Sequence, residues 1–121
     1  MVTIVDYEMG NVGSIQNMFK YIGVESKIES DPDKIRKASK ILLPGVGSFD
    51  TAMRKIKEKN LEEVLAEKAL KEQVPILGIC LGMQLLTSES EEGRLKGLGW
   101  IPAKTVSFKN RIDKRLKIPH M

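Results

Sequence analysis

The only cysteine of the chain, Cys80, stands in the stretch Gly78-Ile79-Cys80-Leu81-Gly82. This is the form Gly-x-nucleophile-x-Gly, with an apolar run before it and helix-forming residues after it. A nucleophile elbow has that setting, because its turn is too tight for side chains two positions either side of the nucleophile. The sulfur is held clear of the strand at a helix N-terminus, where the dipole favours thiolate. The N–H of Leu81 then points to where an oxyanion would form. A lone cysteine in an apolar run is otherwise an inert, buried hydrophobe; the flanking glycines favour the nucleophile.

A second loop, Pro44-Gly45-Val46-Gly47, follows the apolar run ending at Leu43. Two glycines one residue apart let the chain turn sharply and present main-chain N–H groups to a ligand, although a plain tight turn has the same residues. A base for Cys80 is harder to find. The only histidine is His120, in Ile118-Pro119-His120-Met121, with no carboxylate beside it to orient the ring, and it makes a poor candidate. One histidine and one cysteine do not make a metal site.

These residues need elements to carry them. Val2–Val5 reads as a buried strand, Asp6–Gly10 as a turn, and Asn11 as the N-cap of a helix whose apolar positions run from Val12 to Ile22. A second strand spans 24–29. Asp31-Pro32 opens a short helix to about Ala38, and Lys40–Leu43 forms a third strand. A helix starts at Phe49, and Asn60 with Glu63 is a capping box for a further helix, Leu61–Glu72. Ile76–Ile79 lacks polar alternation and is expected as a strand buried on both faces. Met83 to about Thr87 begins another helix, followed by a Glu-rich loop. Trp100–Phe108 and Arg115–Ile118 are expected as strands of a hairpin or meander, with 109–114 as the turn. Alternating strands and helices give an α/β fold with a doubly wound, mostly parallel, flavodoxin-like sheet, whose functional groups gather where strands end and helices begin.

At 121 residues the chain is a single domain. Its net charge of +4 arises mostly from lysines interleaved with glutamates along helices, a solvated pattern that argues against nucleic-acid binding. The basic stretch Lys104–Lys117 lacks the interleaved aromatics of a single-strand binder and reads as exposed β structure. A single cysteine excludes an internal disulfide, and no apolar run is long enough to span a bilayer. The N-terminus reads directly into a strand, so a cytoplasmic protein is expected.

Taken together, these motifs resemble the class I, triad-type glutamine amidotransferases, and among them the glutaminase subunits of imidazole glycerol phosphate synthases. The resemblance rests on Asp6-Tyr7-Glu8-Met9-Gly10-Asn11 with Ser14, on Leu43–Phe49, and on Gly78–Leu86 including Met83-Gln84. Ser90–Gly93, Gly97-Leu98-Gly99 and Pro119-His120-Met121 match later landmarks. It implies glutamine hydrolysis with Cys80 as nucleophile, passing through a glutamyl thioester with release of ammonia. Val46, Gly47 and Leu81 would supply the oxyanion hole, and Gly45 and Gln84 would bind the substrate. Asn11, Pro119 and Met121 would meet the partner, a (β/α)₈-barrel cyclase that receives the ammonia and makes imidazole glycerol phosphate in histidine biosynthesis. The resemblance implies no metal or organic cofactor.

The sequence departs from the family pattern at Glu8, where glycine is typical, and at Thr87 and Ser88, where Phe-Glu usually follows Leu-Leu. These departures keep a related glutaminase, one feeding amidino-sugar synthesis for surface polysaccharides, as the alternative. The family carries its base in a later His-x-Glu pair, absent from this sequence. The resemblance therefore implies that residues 1–121 are a C-terminally truncated domain, about the first three-fifths of a member. Such a chain is expected to hydrolyse glutamine poorly and to self-associate through uncovered apolar surface. A non-catalytic, flavodoxin-like binding module is the alternative from another class.

Overall fold

The structure, a computed structural model, describes residues 1–110. Its elements run β1 (Val2–Val5), α1 (Val12–Tyr21), β2 (Ser26–Glu29), α2 (Pro32–Ile35), β3 (Ile41–Leu43), α3 (Phe49–Glu58) and α4 (Leu61–Ala66). A wider π-turn over Glu67–Lys71 continues α4, and β4 (Ile76–Gly78), α5 (Leu81–Leu85), β5 (Thr87–Ser90) and β6 (Ile101–Thr105) follow. The first four strands form one parallel sheet in the order β2-β1-β3-β4, as the alternation of elements predicts.

Register and side-chain alternation place the core. Val5, Ile41 and Leu43 point to the face covered by Ile35 of α2, by Phe49, Met53 and Ile56 of α3, by Leu61, Val64 and Leu65 of α4, and by Leu81 and Leu85 of α5. Lys68 is buried among them because its ammonium donates to the Arg36 carbonyl at 2.8 Å and pairs with Glu72 at 3.0 Å. The opposite face carries α1. There the expectation of a strand buried on both faces fails: Leu77 of β4 is 57% exposed and Ile79 is 41% exposed. An apolar groove of about 430 Å³ runs between Ile15 and Met18 of α1, with Ile22 just past its end, and Leu42 and Leu77 of the sheet, with Ile79 just beyond β4.

Three other expectations need correction. Asn60 makes no capping bond; its φ of +58° is left-handed. It sits just past the last turn of α3 and closes that helix, a conformation incompatible with the extended backbone of an N-cap. Thr87 does not end a helix but begins β5, which the sequence hid because Thr87–Ser90 has no apolar residue. The partner of β6 among the described residues is β5, in parallel, because Glu91–Trp100 crosses back between them. The other half of the expected hairpin, Arg115–Ile118, lies outside the described residues.

Candidate active site

β4 delivers the chain to Cys80, whose backbone stands at φ +56° and ψ −119°. A residue with a side chain pays about 1–3 kcal/mol for such a conformation and keeps it only where the surroundings dictate it. They do so here. The Ile79 N–H donates to the Leu43 carbonyl at 3.0 Å, and the Gly82 N–H reaches back over the turn to the Ile79 carbonyl at 2.9 Å. A Cβ at Gly78 would lie 2.7 Å from Met83 Cα, and one at Gly82 would run into the Leu43 carbonyl. Both glycines are therefore imposed by packing, as the elbow pattern requires. The Cys80 thiol is half-buried.

The Pro44–Gly47 loop lies directly against this turn. The Tyr7 hydroxyl, 1% exposed, donates to the Pro44 carbonyl at 2.5 Å, and burial pushes its pKa well above the usual phenol range. Gly45 packs so close that a Cβ there would meet the Tyr7 hydroxyl and lie 3.0 Å from Gly82 N. The structure thus brings Gly45, Leu81 and Cys80 together at the ends of β3 and β4. Two of the three expected oxyanion donors already have partners in this conformation. The Leu81 N–H donates to the Gly45 carbonyl at 3.2 Å, and the Val46 N–H to the Met9 carbonyl at 3.0 Å. Gly47, at φ +110°, sits over the Met9 side chain.

Gln84 is one turn beyond the nucleophile, its N–H donating to the Cys80 carbonyl at 3.2 Å. It lines a cavity of about 490 Å³ together with Thr87, Glu92, Lys104, Ser107 and Phe108. Asn11 caps α1, accepting the Ser14 N–H at 3.1 Å. Pro119, His120 and Met121 lie outside the described residues.

Three acidic residues absent from the sequence-based site belong to these surroundings. Glu8 stands at φ +69°, which explains why glycine suits that position, and its carboxylate takes Lys55 Nζ at 2.9 Å and Lys59 Nζ at 3.1 Å. Those ammonium groups hold its carboxyl below the ordinary range. Glu92 enters the cavity wall. Asp50 on α3 accepts the main-chain N–H groups of Arg94 and Leu95, each at 2.9 Å, which keeps its own pKa low. No local spacing signals that bond, since the partners are 44 and 45 residues apart.

Residues 3–120 match the family profile described as glutamine amidotransferase class-I. The chain belongs to the class I glutamine amidotransferases. Among curated members, subunit HisH 2 of imidazole glycerol phosphate synthase from Methanococcus maripaludis is 58% identical over 121 residues. Subunit HisH from Sulfurimonas denitrificans is 49% identical over 123 residues. Each alignment covers 100% of this chain and 59% of the relative, so this amidotransferase chain spans about three-fifths of the length of those proteins. A crystal structure of a glutamine amidotransferase superposes with a TM-score of 0.74 at 19% identity, covering 93% of this chain and 59% of the other. That likeness bears on the fold, and it agrees with the α/β, mostly parallel architecture.

Proposed function

We propose that the chain forms the glutamine-binding and nucleophile-bearing part of the glutaminase subunit of an imidazole glycerol phosphate synthase. The observation that carries this reading is the strained backbone of Cys80, held on its turn by two glycines that nothing larger can replace. Kinship with the HisH subunits supports the substrate class and pathway.

In this reading the substrate's side-chain amide lies at Cys80 and its α-amino end lies in the cavity, where Gln84 and Glu92 offer acceptors. The Cys80 thiolate attacks the amide carbon, forming the S–C bond and moving the C=O π pair onto oxygen. Collapse breaks the C–N bond, ammonia leaves with a proton from a general acid, and a glutamyl thioester remains. Water then attacks the thioester, giving glutamate and restoring the thiol. Stabilising the oxyanion with these groups requires the Leu81 and Val46 N–H groups to exchange their carbonyl partners for the substrate oxygen. The loop therefore turns over before chemistry. Proton transfer requires a base, which the resemblance assigns to a His-x-Glu pair that this sequence does not contain. Ammonia passes to a (β/α)₈-barrel cyclase in the cytoplasm, with Asn11, Pro119 and Met121 toward that partner.

Titrating L-glutamine into the ¹⁵N-labelled chain tests the reading. Amide shifts are expected to cluster at Gln84, Thr105–Ser107 and Gly45–Gly47, with L-asparagine much weaker. Glutamine leaving those amides unmoved would overturn it.

A further inference from the structure

We propose that Asp50 is a positioning residue for the substrate cavity, fixing the loop from which Glu92 joins Gln84 in the wall. The inference deepens the glutaminase reading and rests on it. Asp50 stands two positions past Ser48, the N-cap of α3, and three past Gly47. Its Oδ1 accepts the N–H of Arg94 and that of Leu95, both at 2.9 Å, and its Oδ2 shares the Arg94 N–H at 3.0 Å. On the other side of the loop, Ser90 Oγ accepts the Glu92 N–H at 3.2 Å and the Ser90 carbonyl accepts the Gly93 N–H at 3.2 Å.

Every N–H from Glu92 to Leu95 is therefore engaged, two by Ser90 and two by Asp50. Consecutive N–H groups turned on one carboxylate form a charge-assisted anchor, stronger than ordinary turn bonds. The approach is close enough to dictate the residue between the anchors. A Cβ at Gly93 would sit 2.5 Å from Asp50 Oδ1 and 3.0 Å from Phe49 Cδ1. The low pKa of Asp50, caused chiefly by these N–H groups, keeps the anchor ionised. Because α3 begins immediately after the Pro44–Gly47 loop, one helix end sets both that loop and the Glu92 loop. Asp50 thereby holds the amide-end and amino-end walls of the site at a fixed separation.

The test is the glutamine affinity of the chain, read by amide-shift titration, for wild type, Asp50→Ala, Asp50→Asn and Gly93→Ala. Asparagine retains Oδ1 for both N–H groups, whereas alanine retains neither. Asp50→Ala is expected to raise Kd about ten-fold or more, and Asp50→Asn by less than about three-fold. Gly93→Ala keeps the carboxylate but drives a methyl between it and the loop, and is expected to weaken binding about as much as Asp50→Ala does. Alkylation of Cys80 by iodoacetamide without glutamine should stay within about two-fold of wild type throughout, showing the elbow intact. If Asp50→Ala fails to fold, Gly93→Ala decides. Wild-type affinity in either of these variants, with faster hydrogen exchange at Arg94 and Leu95, reduces Asp50 to a loop staple and overturns the proposal. A wild-type chain that glutamine does not shift overturns the glutaminase reading, and this inference with it.

Discussion

Cys80 keeps a backbone conformation that most residues with a side chain avoid, held by hydrogen bonds and close packing on both sides of its turn. Its thiol stands at the turn between β4 and α5, while Gly78 and Gly82 allow Met83 and the Leu43 carbonyl to close over that turn. Gly82→Ala is expected to be the more damaging substitution, because its new methyl meets rigid backbone of a neighbouring strand. A loss of about 1–3 kcal/mol by denaturant unfolding is expected, the range for forced overpacking. Cys80→Gly relieves the strain and should raise unfolding stability by about 1 kcal/mol while removing all reactivity toward glutamine. The tight turn at Cys80 and its two glycines was legible in the sequence because the constraint is local. Asp50 was not, and Glu92 stood only inside a matched landmark, because their contacts are tertiary and bring distant loops together.

At the scale of elements, α3 organises the site from its two ends. Its N-terminus holds the Glu92 loop through Asp50, and Lys55 and Lys59 hold the β1–α1 loop through Glu8. Met9, next to Glu8, carries the carbonyl that occupies the Val46 N–H. The lysines depress the folded-state pKa of Glu8 below its unfolded value. Its contribution to stability is therefore fully present above the unfolded pKa, about 4.3, and is lost as pH falls through the lower folded value. Urea melts of wild type and Glu8→Gln should converge as the pH is lowered through that window, and also in about 1 M salt, where the Debye length is about 3 Å. A difference that persists unchanged at low pH would show that the carboxylate's charge is not what anchors the loop. The strands and helices of the parallel sheet followed from apolar runs, caps and glycine stops. Asn60 and Thr87–Ser90 misled for physical reasons: the first serves the helix before it, and the second forms a polar strand whose partner lies across a crossover.

Among the described residues, one face of the sheet is fully packed, while the other carries α1 and leaves apolar side chains exposed. Leu77, Ile79, Met18 and Ile22 line a groove that exposes apolar surface in the described residues. Sedimentation of the chain is expected to show species larger than a monomer, and Leu77→Lys should shift them toward monomer; a monomer at all concentrations would contradict this. Among the described residues no helix is long and apolar enough to cross a membrane. Everything proposed for the site turns on Cys80 acting as the nucleophile that meets glutamine. Reaction with a chloroketone analogue of glutamine, followed by peptide mapping, tests it most directly. A single adduct on Cys80 is expected, formed more slowly when glutamine is added and at an unchanged rate with asparagine; an unmodified Cys80, or labelling indifferent to glutamine, would overturn that role.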